Sequence, residues 1–380
     1  MSVPLNVIDL AADLIRHPSV SPDPGGSQIA LGETLSAMGF TVTHLPFGEG
    51  DERTPNLFAR LGAGGPHLCF AGHTDVVPPG SDDWTHGPYA GDVAGGRLYG
   101  RGACDMKGGI AAFVAAVSAF LARRPEPRGS ISLLITGDEE GPAHFGTQKV
   151  LEWMRRNHEI PDFCVVGEPT NPAVMGEVIK IGRRGSINVH LTVHGRQGHV
   201  AYPHRADNPV HRLLRILSAL TAEPLDEGSE WFEPSSLQVT GIDVGNPATN
   251  VIPARATAAL NIRFNNLHTG GALRGWIETI CQRYAPGTVV EAHISGESFL
   301  TKPGPEVAAL ADAVRTATGR EPRLDTGGGT SDARFIALYC PVAEFGLVGT
   351  SMHQIDEHVA VDDLECLTRV YEDLLERMVA

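Results

Sequence analysis

The run Ser130–Thr136 is short, nearly continuous in apolar residues and followed directly by acids. That pattern suits a strand covered on both faces at the centre of a sheet. Phe163–Val166 repeats it, and Asn56–Leu61 and His67–Gly72 supply two more strands around the turn Gly62–Gly65. Helical patterns alternate with them at Val7–Ile15, Ser27–Met38, Gly109–Ala122 and Gln148–Arg156. Gly39 stands in a C-cap position after the second helix, and Phe40–Leu45 reads as a strand. Strands alternating with helices predict an α/β sheet with helices on both faces.

The pattern changes near residue 180. Ser186–His194 alternates strictly, with Ile187, Val189, Leu191 and Val193 on one face and polar residues on the other. This is the mark of a half-exposed antiparallel strand. A helix (Pro209–Thr221), strands at Ser236–Val244 and Ala256–Phe264, a helix (Gly271–Tyr284) and a strand (Val289–Ser295) follow. The order β-α-β-β-α-β is that of a ferredoxin-like α+β domain. After Gly296 the first style resumes, with a helix at Glu306–Thr318, a strand at Val342–Phe345 and a closing segment Asp362–Met378. The expected organisation is a discontinuous α/β domain, 1–181 and 296–380, interrupted by an inserted domain, 182–295.

Composition narrows the function classes. The 380 residues carry a formal charge of -15, from 30 Lys+Arg and 45 Asp+Glu. Nucleic acids and anionic membranes need basic surfaces, so neither is expected as a partner. The six cysteines are scattered, without a C-x-x-C pair, and most sit in apolar runs. They read as buried free thiols in a reducing compartment. Met1–Arg16 contains Asp9 and Asp13 and lacks the plan of a signal peptide. With no apolar run of about 18 residues, no membrane span is expected, and the expected location is cytoplasmic.

The chemistry-bearing residues fall where these strands end. His73 and Asp75 leave the C-terminal end of the His67–Gly72 strand, pointing the same way because they are two apart. Ligand sites of open α/β sheets lie at such ends. Asp105, within Gly100-Arg101-Gly102-Ala103-Cys104-Asp105-Met106-Lys107-Gly108, sits at the mouth of a helix. There it is either a helix cap or a carboxylate with two oxygens free for two cations. Asp138-Glu139-Glu140 follows Ser130–Thr136, and buried adjacent carboxylates are costly unless cations compensate. Glu168 follows Phe163–Val166, and His353 follows Val342–Phe345. Two histidines and several carboxylates at strand ends suit zinc or a similar divalent ion. Three of the carboxylates as ligands, one bridging, would make a two-metal centre that activates water and polarises a carbonyl. Glu139, beside ligand Glu140, is then the natural general base.

In order and spacing, this series of motifs resembles the M20 metallopeptidase family across essentially the whole chain. The resemblance implies a mixed-sheet catalytic domain of the zinc aminopeptidase type with an inserted dimerisation domain. It implies two zinc ions per subunit, replaceable by cobalt. His73 and Glu168 would hold one, Glu140 and His353 the other, and Asp105 would bridge. Glu139 would be the base and Asp75 the support of His73.

Further segments narrow the family. Gly182–Ser186, Gly198–His204, Asn250–Pro253 and Gly327–Asp332 resemble the branch that hydrolyses an N-succinylated diamino dicarboxylate. Arg183 and Arg263 could clamp its carboxylates as bidentate donors. Ser186, Tyr202, Asn250, Gly329 and Thr330 would supply the remaining donors. His199 matches a histidine that reaches the partner subunit's active site in a homodimer, where it would stabilise an oxyanion. One departure is Thr249, where relatives often carry a second asparagine. The competing readings are a sister enzyme acting on acetylornithine and a non-catalytic scaffold. The presence of all five ligands and the base argues against the second.

Overall fold

The computed structural model of the protein describes residues 4–21, 23, 25–50, 53–80, 83–329 and 331–380. Two compact units result. The first comprises the residues up to Ile181, Thr301–Asp325 and Ser331–Ala380; the second comprises Gly182–Leu300 and a short segment after Asp325.

The first unit is built on an eight-stranded mixed sheet in the order Thr41–His44, Leu57–Leu61, Ser130–Thr136, His67–His73, Phe163–Val166, Val342–Glu344, Val178–Lys180, Arg323–Asp325. Its centre is parallel: His67–His73 runs between Ser130–Thr136 and Phe163–Val166, and Val342–Glu344 extends the set. Every residue of these four strands is buried, as the unbroken apolar runs require.

Ring contacts show that both faces are covered. Phe70 stacks on Phe113 of the helix Gly108–Arg123 and meets Tyr371 of the helix Val361–Val379 edge-on. Phe58 contacts Trp153 of the helix Thr147–Arg156. Phe70 pairs with Leu133 and Phe58 with Leu134, and consecutive residues of a strand face opposite ways. The Thr147–Arg156 helix therefore covers the face opposite the other two. Ala103–Arg123 has the length and hydropathy of a membrane span, but most of it lies buried inside the fold as a core segment.

The second unit has a four-stranded antiparallel sheet, in the order Ser236–Asp243, Arg255–Phe264, Gly185–His194, Val289–Gly296. Ile187, Val189, Leu191 and Val193 pack with Leu213, Ile216 and Leu217 of the helix Pro209–Leu220 and with Leu273 and Ile277 of Gly270–Tyr284. Asn208 caps the first helix on Val210 N and Thr269 the second on Ala272 N.

Candidate metal centre

Parallel neighbours end at the same edge of a sheet. In the first unit that edge carries the loops of His73, of Glu139 and Glu140, of Glu168, and of the segment leading to His353. Asp105 arrives from the turn before the helix Gly108–Arg123. Two glycines bring it in. A Cβ on Gly109 would lie 2.7 Å from Gly167 O, and one on Gly167 would lie 2.5 Å from the Phe70 ring. Only at glycine can the backbones before Glu168 and after Asp105 approach so closely.

Candidate donor atoms converge in two groups. His73, Asp105 and Glu168 offer donor atoms that all lie within 4.8 Å of one another, and so do Asp105, Glu140 and His353. His73 Nε2 is 3.1 Å from Asp105 Oδ1 and 3.7 Å from Glu168 Oε1. His353 Nε2 is 3.1 Å from Asp105 Oδ2 and 2.9 Å from Glu140 Oε1. Asp105 thus gives one oxygen to each group. The mixture of imidazole and carboxylate donors fits a pair of divalent cations.

Electrostatics point the same way. Burial opposes a proton on His73, yet Asp105, Glu168 and Glu139 around it raise its pKa well above the usual imidazole value. Contacts to Asp105 and Glu140 raise His353 to about 10. Burial pushes the Asp105 carboxyl up, but His353 and His73 outweigh it and hold it below the ordinary range. The cluster of carboxylates draws positive charge onto both histidines, a demand that divalent cations meet.

Asp75 contributes differently from a simple His-carboxylate pair. His73 Nδ1 lies 2.8 Å from the Asp75 carbonyl oxygen, while the carboxylate is 3.7 Å away. The Asp75 carboxylate instead accepts the backbone N–H groups of Glu139 at 3.2 Å and Glu140 at 3.0 Å. It fixes the peptide that carries both glutamates, a role the sequence pattern does not signal. Glu139 is half-buried; burial first, then Glu168, raises its carboxyl well above the ordinary value.

A profile of peptidase family M20/M25/M40 matches residues 69–377. The chain belongs to this family. An M20 relative from Gluconacetobacter diazotrophicus, a succinyl-diaminopimelate desuccinylase, is 68% identical over 372 residues, 98% of this chain and 97% of that protein. A succinyl-diaminopimelate desuccinylase from Gluconobacter oxydans is 64% identical over 373 residues, 98% of this chain and 97% of its own. Among solved structures, an M20 family metallo-carboxypeptidase from Sulfolobus solfataricus matches with a TM-score of 0.75 at 18% identity, over 98% of this chain and 99% of the other. An aminopeptidase from Bacillus cereus gives 0.78 at 18% identity, over 98% and 97%. The mixed α/β architecture is thus the M20 fold.

The other described residues singled out in this M20 chain lie in its second unit. Arg183 is buried and donates from Nη1 to Gly329 O at 2.7 Å. Ser186 and Arg263 are cross-strand partners and therefore share a face of the sheet. The Ser186 hydroxyl accepts from Asn261 Nδ2 at 3.3 Å. His199, Tyr202 and Asn250 form a separate, exposed group. The two-stranded pairing of Gly198–His199 with Val251–Ile252 joins them, Val200 N donates to Asn250 O at 3.1 Å, and the His199 and Tyr202 rings are 5.7 Å apart. Thr330 lies outside the described residues.

Proposed function

We propose that the chain hydrolyses N-succinyl-LL-diaminopimelate to succinate and LL-diaminopimelate, in diaminopimelate and lysine biosynthesis. The observation that carries this reading is 68% identity over 98% of the chain to a relative of that name. His73 and Glu168 would hold one zinc and Glu140 and His353 the other, with Asp105 offering one oxygen to each; cobalt(II) could replace zinc. Bound there, the metals supply Lewis acidity to the amide carbonyl and acidity to a water. Glu139 would take the proton from the attacking water and pass it to the leaving amine. Its carboxyl is suited to holding a proton because burial raises it, and Asp75 keeps its peptide in place.

The segments 1–181 and 296–380 form the catalytic domain and 182–295 a dimerisation domain. Arg183 and Arg263 clamp substrate carboxylates, and Ser186, Tyr202, Asn250, Gly329 and Thr330 provide further donors. The protein is a cytoplasmic homodimer in which His199 acts on the partner subunit's substrate. Mixing His199→Ala with Glu139→Ala subunits tests the last point, since one intact composite site would restore activity; no recovery in the heterodimer sinks it.

The substrate is tested by amine release from N-succinyl-LL-diaminopimelate and from N-acetylornithine, side by side, with and without chelator. A strong, chelator-sensitive preference for the succinylated compound is expected. Preference for acetylornithine would retain the metal chemistry and overturn the roles of Arg183, Arg263 and Thr330.

A further inference from the structure

Glu357 carries no role in the reaction described above, yet its side chain is fully buried and its bonds lead to the metal centre's supports. Oε1 accepts the backbone N–H of Cys104 at 3.1 Å and of Asp105 at 3.3 Å, and the Cys104 thiol lies 3.4 Å away. Oε2 accepts from Arg101 Nη1 at 2.6 Å; the side chains of this ion pair are 3% and 0% exposed. The Glu357 carbonyl accepts from Gly100 N at 2.9 Å.

Arg101 extends the connection. Nη1 also donates to Gln354 O at 3.2 Å, on the residue after His353, and Nη2 donates to Pro78 O at 3.3 Å. Its guanidinium lies 5.2 Å from the centre of the Trp84 ring. Three chain segments, around residues 78, 101–105 and 353–357, therefore meet on one buried ion pair.

Both residues at its ends lie on irregular backbone. Asp105 departs from helical backbone angles (φ -124°, ψ 92°) at the turn before the helix Gly108–Arg123. His353 has φ 61°, a left-handed conformation that a non-glycine residue holds only when its surroundings enforce it. A carboxylate receiving two N–H bonds fixes the first peptide, and an arginine bonded to the neighbouring carbonyl fixes the second.

We infer that the buried Glu357–Arg101 pair is a positioning clamp that holds Asp105 and His353 in register for metal binding. The inference rests on the proposed two-metal reading. Because Asp105 belongs to both donor groups, loosening the clamp weakens both metals together, whereas losing Glu168 or Glu140 weakens one. A residue that serves only general stability would alter the melting of the metal-free protein and leave the spectrum of the bound metal unchanged.

The test uses full-length protein stripped of metal and titrated with cobalt(II) against a competing chelator. Glu357→Gln keeps the shape of the side chain and removes its charge. The variant is expected to fold without metal and to bind two equivalents, each roughly 10- to 100-fold more weakly. Its visible cobalt bands shift, and kcat falls more than KM changes. If Glu357→Gln does not fold, Arg101→Lys carries the same expectations, since lysine keeps the charge but loses the forked donation. Wild type taking up two equivalents while the folded variant binds both with unaltered affinity and spectrum would overturn the clamp alone. Wild type that takes up no metal would overturn the metal reading and the clamp with it.

Discussion

The strand His67–His73 begins and ends on a buried histidine, and the two ends differ in nearly everything but burial. At the amino end, burial and the nearby Arg60 hold His67 down to about 4, against partial opposition from Glu159 and Asp162. Its Nε2 meets the Ser132 hydroxyl at 2.7 Å, so the neutral ring is satisfied without a charge partner. At the carboxyl end, His73 faces Asp105 and Glu168 and is raised despite deeper burial. Burial alone therefore does not decide the charge of an imidazole; the groups placed around it do. One end of the sheet is organised for stability, and the other gathers carboxylates around its histidine.

The comparison predicts opposite responses to mutation. At the carboxyl end the largest effect is Glu139→Gln. It should lower kcat by roughly 10²- to 10⁴-fold while metal content and melting temperature stay at wild-type values. Retained turnover with full metal loading would place the base elsewhere. Next is metal removal. A ligand bound only by the folded state stabilises it by about 4 kcal/mol at a concentration about 1,000 times its Kd. Chelation should therefore lower the melting temperature of wild type, and much less that of Asp105→Ala, which lacks the shared ligand. Equal loss in both would mean that Asp105 is not needed to hold the cations, and no loss in wild type would mean that the carboxylates tolerate one another without them.

How far these ends could be read from the sequence depends on the range of the interactions. The apolar runs before His73, Glu139 and Glu168 are local signals. A parallel sheet then forces their C-terminal ends together, so the convergence of these acids and His73 at one edge was legible in the sequence. The ferredoxin-like order was legible for the same reason, because strict alternation across Ser186–His194 reports one buried face. Interactions that join distant segments were not. Arg97–Tyr99 pairs with both Asp92–Ala94 and the distant His358–Ala360. Val178–Lys180 and Arg323–Asp325 are three residues each, too short to show a period, and pair across more than a hundred intervening positions. The bond of Asp75 to the Glu139 and Glu140 peptides involves backbone donors, which no residue pattern advertises.

The smaller effects belong to the amino end and appear as pH dependence. The folded-state value of His67, about 4, lies below the ordinary 6.5, so the unfolded chain binds the proton first. Stability present above about pH 6.5 is then lost as the pH falls toward about 4, and this group causes no further loss below that. Denaturation midpoints of metal-free protein at pH 7 and pH 5 should differ less in His67→Gln, which cannot titrate, than in wild type; an unchanged difference would assign the acid sensitivity to other groups.

Arg60→Gln sharpens the same point with the smallest expected change. Arg60 bonds Glu159 and, at 3.0 Å, the Ser130 hydroxyl, and its side chain is one-fifth exposed. Losing such a pair costs on the order of 1 kcal/mol or less. Removing the cation also removes the second of the two influences that depress His67, while Glu159 and Asp162 continue to raise it. The His67 pKa, followed by its ring proton resonance, should therefore move up toward 6.5 without reaching it, because burial, the larger cause, is untouched. A value unmoved by Arg60→Gln would mean that burial alone sets the amino end. The contrast with His73 would then lie wholly in the carboxylates at the other end of the strand.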